Sequence, residues 1–339
     1  MKKIITISGP ADIYQLGHIL PHEHVFSKKT AERPPLYPSL LDADIALENL
    51  GRIRRDIYSS RTNLILDDTE TAVNDLSRFR ARGGGAVVDL TTPGRGRDIA
   101  RLAEVSRLSG VSIIASTGFY TEPYHPGFVS GSSVEALANL MIKELTDGID
   151  GTRMRAGVIG EIGVSSPMTD GEKKALTAAA MAHKSTGAPI YIHQNGGGEL
   201  EKIRELLEAN GVPPASAAIC HMDTASSRQR LDFARAGYYV CIDSFGHEYY
   251  LDANIGQITR DPEKVKMIKE LAEAGLRKQI LISGNVCLKI LQCKYGGWGY
   301  EHLIVNMRPF MLRAGLAIKT LDIMLYYNPA RFLAYADEN

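Results

Sequence analysis

The fold of this chain can be worked out from one stretch, Leu20-Pro21-His22-Glu23-His24-Val25. Side chains on a β-strand alternate between two faces, so His22 and His24, two positions apart in an apolar run, fall on the same face. Both imidazoles then reach one point in space, as two ligands of a metal ion must. A single His-x-His pair is equally compatible with two ordinary hydrogen-bonded histidines. The rest of the chain decides between these.

Upstream, residues 2–7 alternate enough to form a strand and Ser8-Gly9-Pro10-Ala11-Asp12 turns it, which predicts a short N-terminal β-hairpin. The His pair lies on the following strand, over residues 17–25. Beyond it, Pro34, Pro35 and Pro38 predict a polar loop over the mouth of the fold. From there a helical stripe, a glycine break and a β-branched run recur. Val73, Leu76 and Phe79 precede Ala86-Val87-Val88-Asp89-Leu90, and Leu102, Val105 and Leu108 precede Ser112-Ile113-Ile114-Ala115. Leu137, Leu140, Met141 and Leu145 lead to the run ending Val158-Ile159-Gly160-Glu161-Ile162-Gly163. Thr169-x-x-Glu172 predicts a capping box on the helix before Pro189-Ile190-Tyr191-Ile192-His193. Leu200, Ile203, Leu206 and Leu207 precede Ala217-Ala218-Ile219-Cys220-His221, and Tyr238-Tyr239-Val240-Cys241-Ile242 follows. Asp261 as N-cap and Pro262 as first helical residue open a helix before Gln279-Ile280-Leu281-Ile282-Ser283.

Counted from the His pair, eight strands alternate with helical connections. That order predicts an α/β protein with a parallel sheet closed into a (β/α)₈ barrel, a single domain over residues 1–339. The alternative, an open doubly wound sheet, would usually carry a glycine-rich phosphate turn after its first strand, and none is present.

Composition narrows the functional class. Lys+Arg and Asp+Glu both number 39, so no net charge draws the chain to nucleic acid or an anionic membrane. No apolar run approaches the roughly 20 residues of a membrane-spanning helix, and Met1-Lys2-Lys3-Ile4-Ile5-Thr6-Ile7 lacks the features of an export signal. Cys220, Cys241, Cys287 and Cys293 form no disulfide framework or zinc-ribbon spacing, and a reducing cytoplasm is the simplest location.

In a barrel of this type the chemistry gathers at the C-terminal ends of the strands. The predicted strands put His22 and His24 at the end of the first, Glu161 at the fourth, His193 at the fifth and His221 at the sixth. Polar groups there are costly to bury without a partner. Four histidines and a carboxylate suit two divalent ions, with zinc the first choice and manganese or cobalt as alternatives. A carboxylate between the ions would bridge them, and coordination lowers the pKa of water enough to make a nucleophile at neutral pH.

Further motifs extend the pattern: Gly9-Pro10 with Leu16-Gly17 ahead of Pro21-His22-Glu23-His24, Thr117-Gly118-Phe119-Tyr120, Gly157-Val158-Ile159-Gly160-Glu161-Ile162-Gly163, Cys220-His221-Met222-Asp223, Gly296-Gly297-Trp298-Gly299-Tyr300 and Asn328-Pro329-Ala330-Arg331. Together they resemble the phosphotriesterase family of the amidohydrolase superfamily, including its phosphotriesterase-homology and lactonase branches, over nearly the whole chain. The resemblance implies an amidohydrolase-like barrel whose binuclear metal centre hydrolyses esters. His22 and His24 would hold the more buried ion, His193 and His221 the more exposed one, and Glu161 would bridge, as in the branch that uses glutamate. It also implies an aspartate at the end of the eighth strand, as a metal ligand and proton acceptor. This chain has Asn285 there, in Ser283-Gly284-Asn285-Val286-Cys287. A neutral amide ligates a metal weakly and accepts no proton. Three readings stay open: an engineered Asp→Asn form made to trap a ligand, favoured because every other motif residue is intact; a natural enzyme with altered proton handling; and a non-catalytic ligand-binding barrel.

Loops after the last strands should shape the pocket. Tyr120 and His247 offer walls, and Arg260, Lys289 and Lys294 with Tyr295 would suit an anionic group. The expected substrate is a lactone or ester of a small sugar-like metabolite, with or without a phosphate, and a phosphodiesterase or phosphotriesterase acting on a sugar-phosphate ester is the alternative. Homodimers are common in proteins of this resemblance.

Overall fold

The computed structural model describes residues 2–194, 196–251 and 256–336. Eight parallel strands, β1 (His18–Glu23), β2 (Gly84–Asp89), β3 (Ser112–Thr117), β4 (Val158–Gly163), β5 (Ile190–His193), β6 (Ala217–Ile219), β7 (Tyr239–Ile242) and β8 (Ile280–Ile282), pair in chain order. Helices between them cover the outer face. Residues 4–11 form the antiparallel hairpin Ile4–Thr6 with Gly9–Ala11, in the register Ile4↔Ala11.

Two apolar layers follow from strand alternation. Ile19, Ala86, Val88, Ile114, Val158, Tyr191, Ala218 and Leu281 fill the barrel interior, where Ile4, Leu16 and Phe332 join them. Leu20, Val87, Ile113, Ile159, Ile190 and Ile219 face outward onto helix residues such as Leu76, Phe79, Leu102 and Val105.

The seam between β8 and β1 is joined largely by side chains. Glu23 accepts from Ser283 Oγ (2.7 Å), Gly284 N (2.7 Å) and Val286 N (2.7 Å). His22 N donates to Ser283 Oγ (3.0 Å), and Asn285 N donates to His22 O (3.1 Å). The acid between the two histidines is therefore a structural clasp. Pro21, which lacks an N–H, lies where the β1–β2 register shifts, between Leu20 and Glu23.

Two local expectations are corrected. Leu108 is 48% exposed, and the buried stripe of helix Ile99–Ser109 runs through Ile99, Leu102 and Val105. Arg260, rather than Asp261, caps helix Asp261–Glu273. Asp261 instead accepts from Gly246 N (3.0 Å) and faces His302 Nε2 (2.7 Å), so it ties the loop after β7 to the segment after β8. The capping box at Thr169 and Glu172 is present.

Candidate metal centre

At the C-terminal mouth of the barrel the side chains of His22, His24, Glu161, His193 and His221 converge, and Asn285 lies beside them through its N–H to His22 O (3.1 Å). Plain alternation does not bring them there. Val158 points inward and Ile159 outward, so an even strand would send Glu161 out. The β4–β5 register shifts between Ile159 and Ile162, and Gly160, at φ 132°, provides the irregular step. A Cβ on Gly160 would lie 2.6 Å from Tyr191 O, so only glycine fits. His22 is turned in across the shift at Pro21. His221 adopts φ 55°, Ser244 62° and Asn285 49°, a left-handed set at the ends of β6, β7 and β8. Such conformations are uncommon outside glycine and cluster at functional sites.

Glu161 Oε1 is the hub. It lies 3.0 Å from His193 Nδ1, 3.4 Å from His22 Nε2 and 3.5 Å from His221 Nε2. The His22 ring lies 5.7 Å from that of His24 and 5.1 Å from that of His221. Each histidine is held through its other nitrogen: His24 Nδ1 meets Thr91 Oγ1 (2.9 Å), and His193 Nε2 meets Tyr120 OH (3.1 Å). His22 Nδ1 and His221 Nδ1 each donate to one oxygen of Asp243, both at 2.7 Å. Asp243 also accepts from His221 N (3.1 Å).

Asp243 was not singled out from the sequence. The only signal was its place one residue past β7, level with the other site residues on their strands. Its effect is to fix both rings with Nδ1–H toward the carboxylate, leaving Nε2 as the nitrogen that faces Glu161 and could ligate once deprotonated.

The electrostatics divide the histidines. For His22, burial alone would lower the pKa, but Cys220, Glu161 and Asp243 together hold it well above the ordinary value. For His221, burial is likewise outweighed by Asp243 and Glu161. Burial and the Arg95 guanidinium push His24 well down, and burial lowers His193 despite Glu161. Glu161, which burial would raise, is held well below the usual carboxylate range by His193 and His22. The cluster thus concentrates bases that are satisfied by protons or by cations.

Whether it fits metal ions is tested by its unsatisfied atoms. His22 Nε2 and Asn285 Oδ1 are buried with no hydrogen-bond partner. Unpaired buried polar atoms are costly, and a cation beside Glu161 would take the Nε2 lone pair of His22 once its proton leaves. Donor atoms of Glu161, His193 and His221 lie within 4.8 Å of one another, as do those of His22, Glu161 and Cys220.

The remaining expected pocket residues are placed unequally. Tyr120 and His247 are buried beside the cluster. His247 Nε2 donates to Asn285 O (2.9 Å), and Tyr249 OH meets its Nδ1 (3.2 Å). Lys289 pairs with Asp67 (3.2 Å) and Lys294 with Asp68 (2.8 Å). The Lys294 ammonium lies 5.6 Å over the Tyr295 ring, and Arg260 is exposed.

The phosphotriesterase family model matches residues 2–333. The chain belongs to the phosphotriesterase family. Members of this metal-dependent family are hydrolases. The chain is 37% identical to the N-acetyltaurine hydrolase of Rattus norvegicus, with 98% of each chain covered. Among solved structures it is similar to a resiniferatoxin-binding protein from Rhodobacter sphaeroides (32% identity, TM-score 0.95, 98% of this chain and 94% of that one). A lactonase from Listeria monocytogenes is also similar (25% identity, TM-score 0.81, 99% of this chain and 100% of that one). Among the described residues no helix is long and apolar enough to cross a membrane.

Proposed function

We propose that this chain is a metal-dependent hydrolase of a small acyl compound, with an N-acyl amide of the N-acetyltaurine type as its substrate. The observation that carries this is the gathering of His22, His193 and His221 within 3.5 Å of Glu161 Oε1, with His22 Nε2 and Asn285 Oδ1 buried and without hydrogen-bond partners. His22, His24, His193 and His221 would donate nitrogens, Glu161 would bridge, and Asn285 would complete the set. Bound divalent ions would supply Lewis acidity and an activated water. Around them, Asp243 holds two rings in the ligating tautomer, Tyr120 fixes His193, and Asn285 stands where a proton acceptor is needed. The amide class is favoured over the lactone expected from the sequence because the relative at 37% identity is named for an amide. An ester or lactone remains the second reading, on the similarity to the Listeria lactonase.

The test measures zinc content and turnover of N-acetyltaurine and a lactone panel by this chain and by Asn285→Asp. The Asp form should be faster by on the order of 10²–10⁴, the contribution of a general base. Metal binding without turnover in either form would support a ligand-binding barrel. A chain that binds no metal would end the proposal.

A further inference from the structure

Arg95 follows β2 on the mouth side of the barrel and is 4% exposed. Two other buried guanidinium groups have acid partners. Arg97 makes a two-pronged pair with Glu144 (2.7 Å and 2.7 Å), and Arg230 faces Glu270 (3.7 Å). Among the described residues no carboxylate pairs with Arg95. Its Nε donates to Lys28 O (3.2 Å) and one Nη2 hydrogen to Ser27 Oγ (2.9 Å), while no acceptor meets Nη1. Nη1 is not enclosed, so Arg95 keeps a donor and an unpaired positive charge open to an anion.

The group is also held against two aromatic rings. Its Cζ lies 4.7 Å from the centre of the Tyr120 ring and 5.1 Å from that of Tyr124, which are themselves 5.3 Å apart. Tyr120 in turn lies 4.7 Å ring to ring from His193 and bonds it through its hydroxyl. Arg95 is therefore joined to the cluster through the Tyr120 ring. A planar fork held by stacking, with donors to spare, is the arrangement that binds sulfonate, carboxylate or phosphate.

We propose that Arg95 holds the anionic end of the substrate while the acyl carbon lies at the Glu161–histidine cluster, so that the site selects small acyl compounds bearing a sulfonate, carboxylate or phosphate. This rests on the hydrolase reading for the acyl end only. Lys289, Lys294 and Arg260, the cations expected from the sequence, are not needed for it.

The test uses the zinc-loaded full chain, Arg95→Gln and Arg95→Lys. Calorimetry measures binding of N-acetyltaurine, N-acetyl-β-alanine and O-phosphoryl-N-acetylethanolamine. Turnover of N-acetyltaurine and of neutral 4-nitrophenyl acetate is followed, with zinc content and thermal midpoint as controls. Arg95→Gln should weaken the best-bound anion by on the order of 10- to 100-fold, the loss of charge-assisted bonds, and Arg95→Lys by less. Zinc content and melting should stay near the parent values. The proposal is overturned if no anion binds the parent more tightly than Arg95→Gln, or if zinc content or melting falls along with anion binding, which marks a structural role. Arg95-dependent anion binding without turnover of any ester or amide would uphold the anion site while removing the hydrolase reading.

Discussion

Asp243→Asn alters one atom of a side chain that no expected ligand or pocket set contained, yet it should damage the centre. The carboxylate accepts from two imidazoles, His22 Nδ1 and His221 Nδ1, each at 2.7 Å. An asparagine offers one acceptor oxygen and one NH₂. The NH₂ faces an Nδ1–H, so that imidazole must move its proton to Nε2 to be satisfied. Nε2 is the nitrogen 3.4 Å (His22) or 3.5 Å (His221) from Glu161 Oε1, and once protonated it cannot ligate. Losing an outer carboxylate that orients a ligating histidine costs about 10- to 100-fold in metal affinity. A lost charge-assisted hydrogen bond, at about 1.5–3 kcal/mol, gives a similar factor. Zinc affinity would be measured by competition with a chromophoric chelator, ions per chain by mass spectrometry and fold by circular dichroism. An Asp243→Asn protein that folds and binds zinc within about threefold of the parent, at equal stoichiometry, would refute the tautomer argument; the 10-fold floor comes from the same outer-carboxylate scale.

Zinc binding should release protons, from His22 and His221, because both are raised above their ordinary value in the metal-free chain. Titrations in buffers of different ionisation enthalpy read this directly, and a buffer-independent heat would contradict it. Asn285→Asp should bind zinc more tightly as well as turn over faster, since an anionic oxygen replaces an orphaned neutral one; equal affinity would argue against ligation at this position. His247 is lowered from 6.5 to about 3 by burial and by Lys264, so it stays neutral in the native state. Below pH 6.5 the unfolded chain takes up a proton that the native chain does not, and stability falls as pH drops toward 3, by up to about 1.4 kcal/mol per pH unit. In metal-free protein, urea midpoints at pH 7 and pH 5 should diverge less for His247→Asn than for the parent; parallel shifts would exclude His247 as a source of the slope.

Much of the architecture was legible because it depends on local chemistry. Glycine breaks and apolar stripes separate the strands, and Thr169 with Glu172 caps a helix as its spacing requires. Leu108 misled because it extends the apolar spacing of its helix yet ends 48% exposed; spacing alone does not say how far the neighbouring elements reach. Asp261 misled because an acid before a proline reads as a cap, whereas its carboxylate is used by Gly246 and His302. Glu23 looked like a bystander between two histidines and proved to be the clasp of the seam.

The histidines, Glu161 and Asn285 could be placed at strand ends from sequence because a polar residue closing an apolar run is a one-dimensional signal. Which way they face was decided only in three dimensions. Alternation would point Glu161 out of the barrel, and the step at Gly160 and the left-handed turns at His221 and Asn285 reverse or fix the directions. Asp243 and Arg95 could not be ranked at all in sequence, since each matters through partners far along the chain: His22 and His221 for one, Tyr120 and the absence of an acid for the other. Periodicity and residue type are properties of neighbours in the chain, and they settled the barrel. Orientation, pairing and unsatisfied donors are properties of neighbours in space, and only the closed barrel settles those.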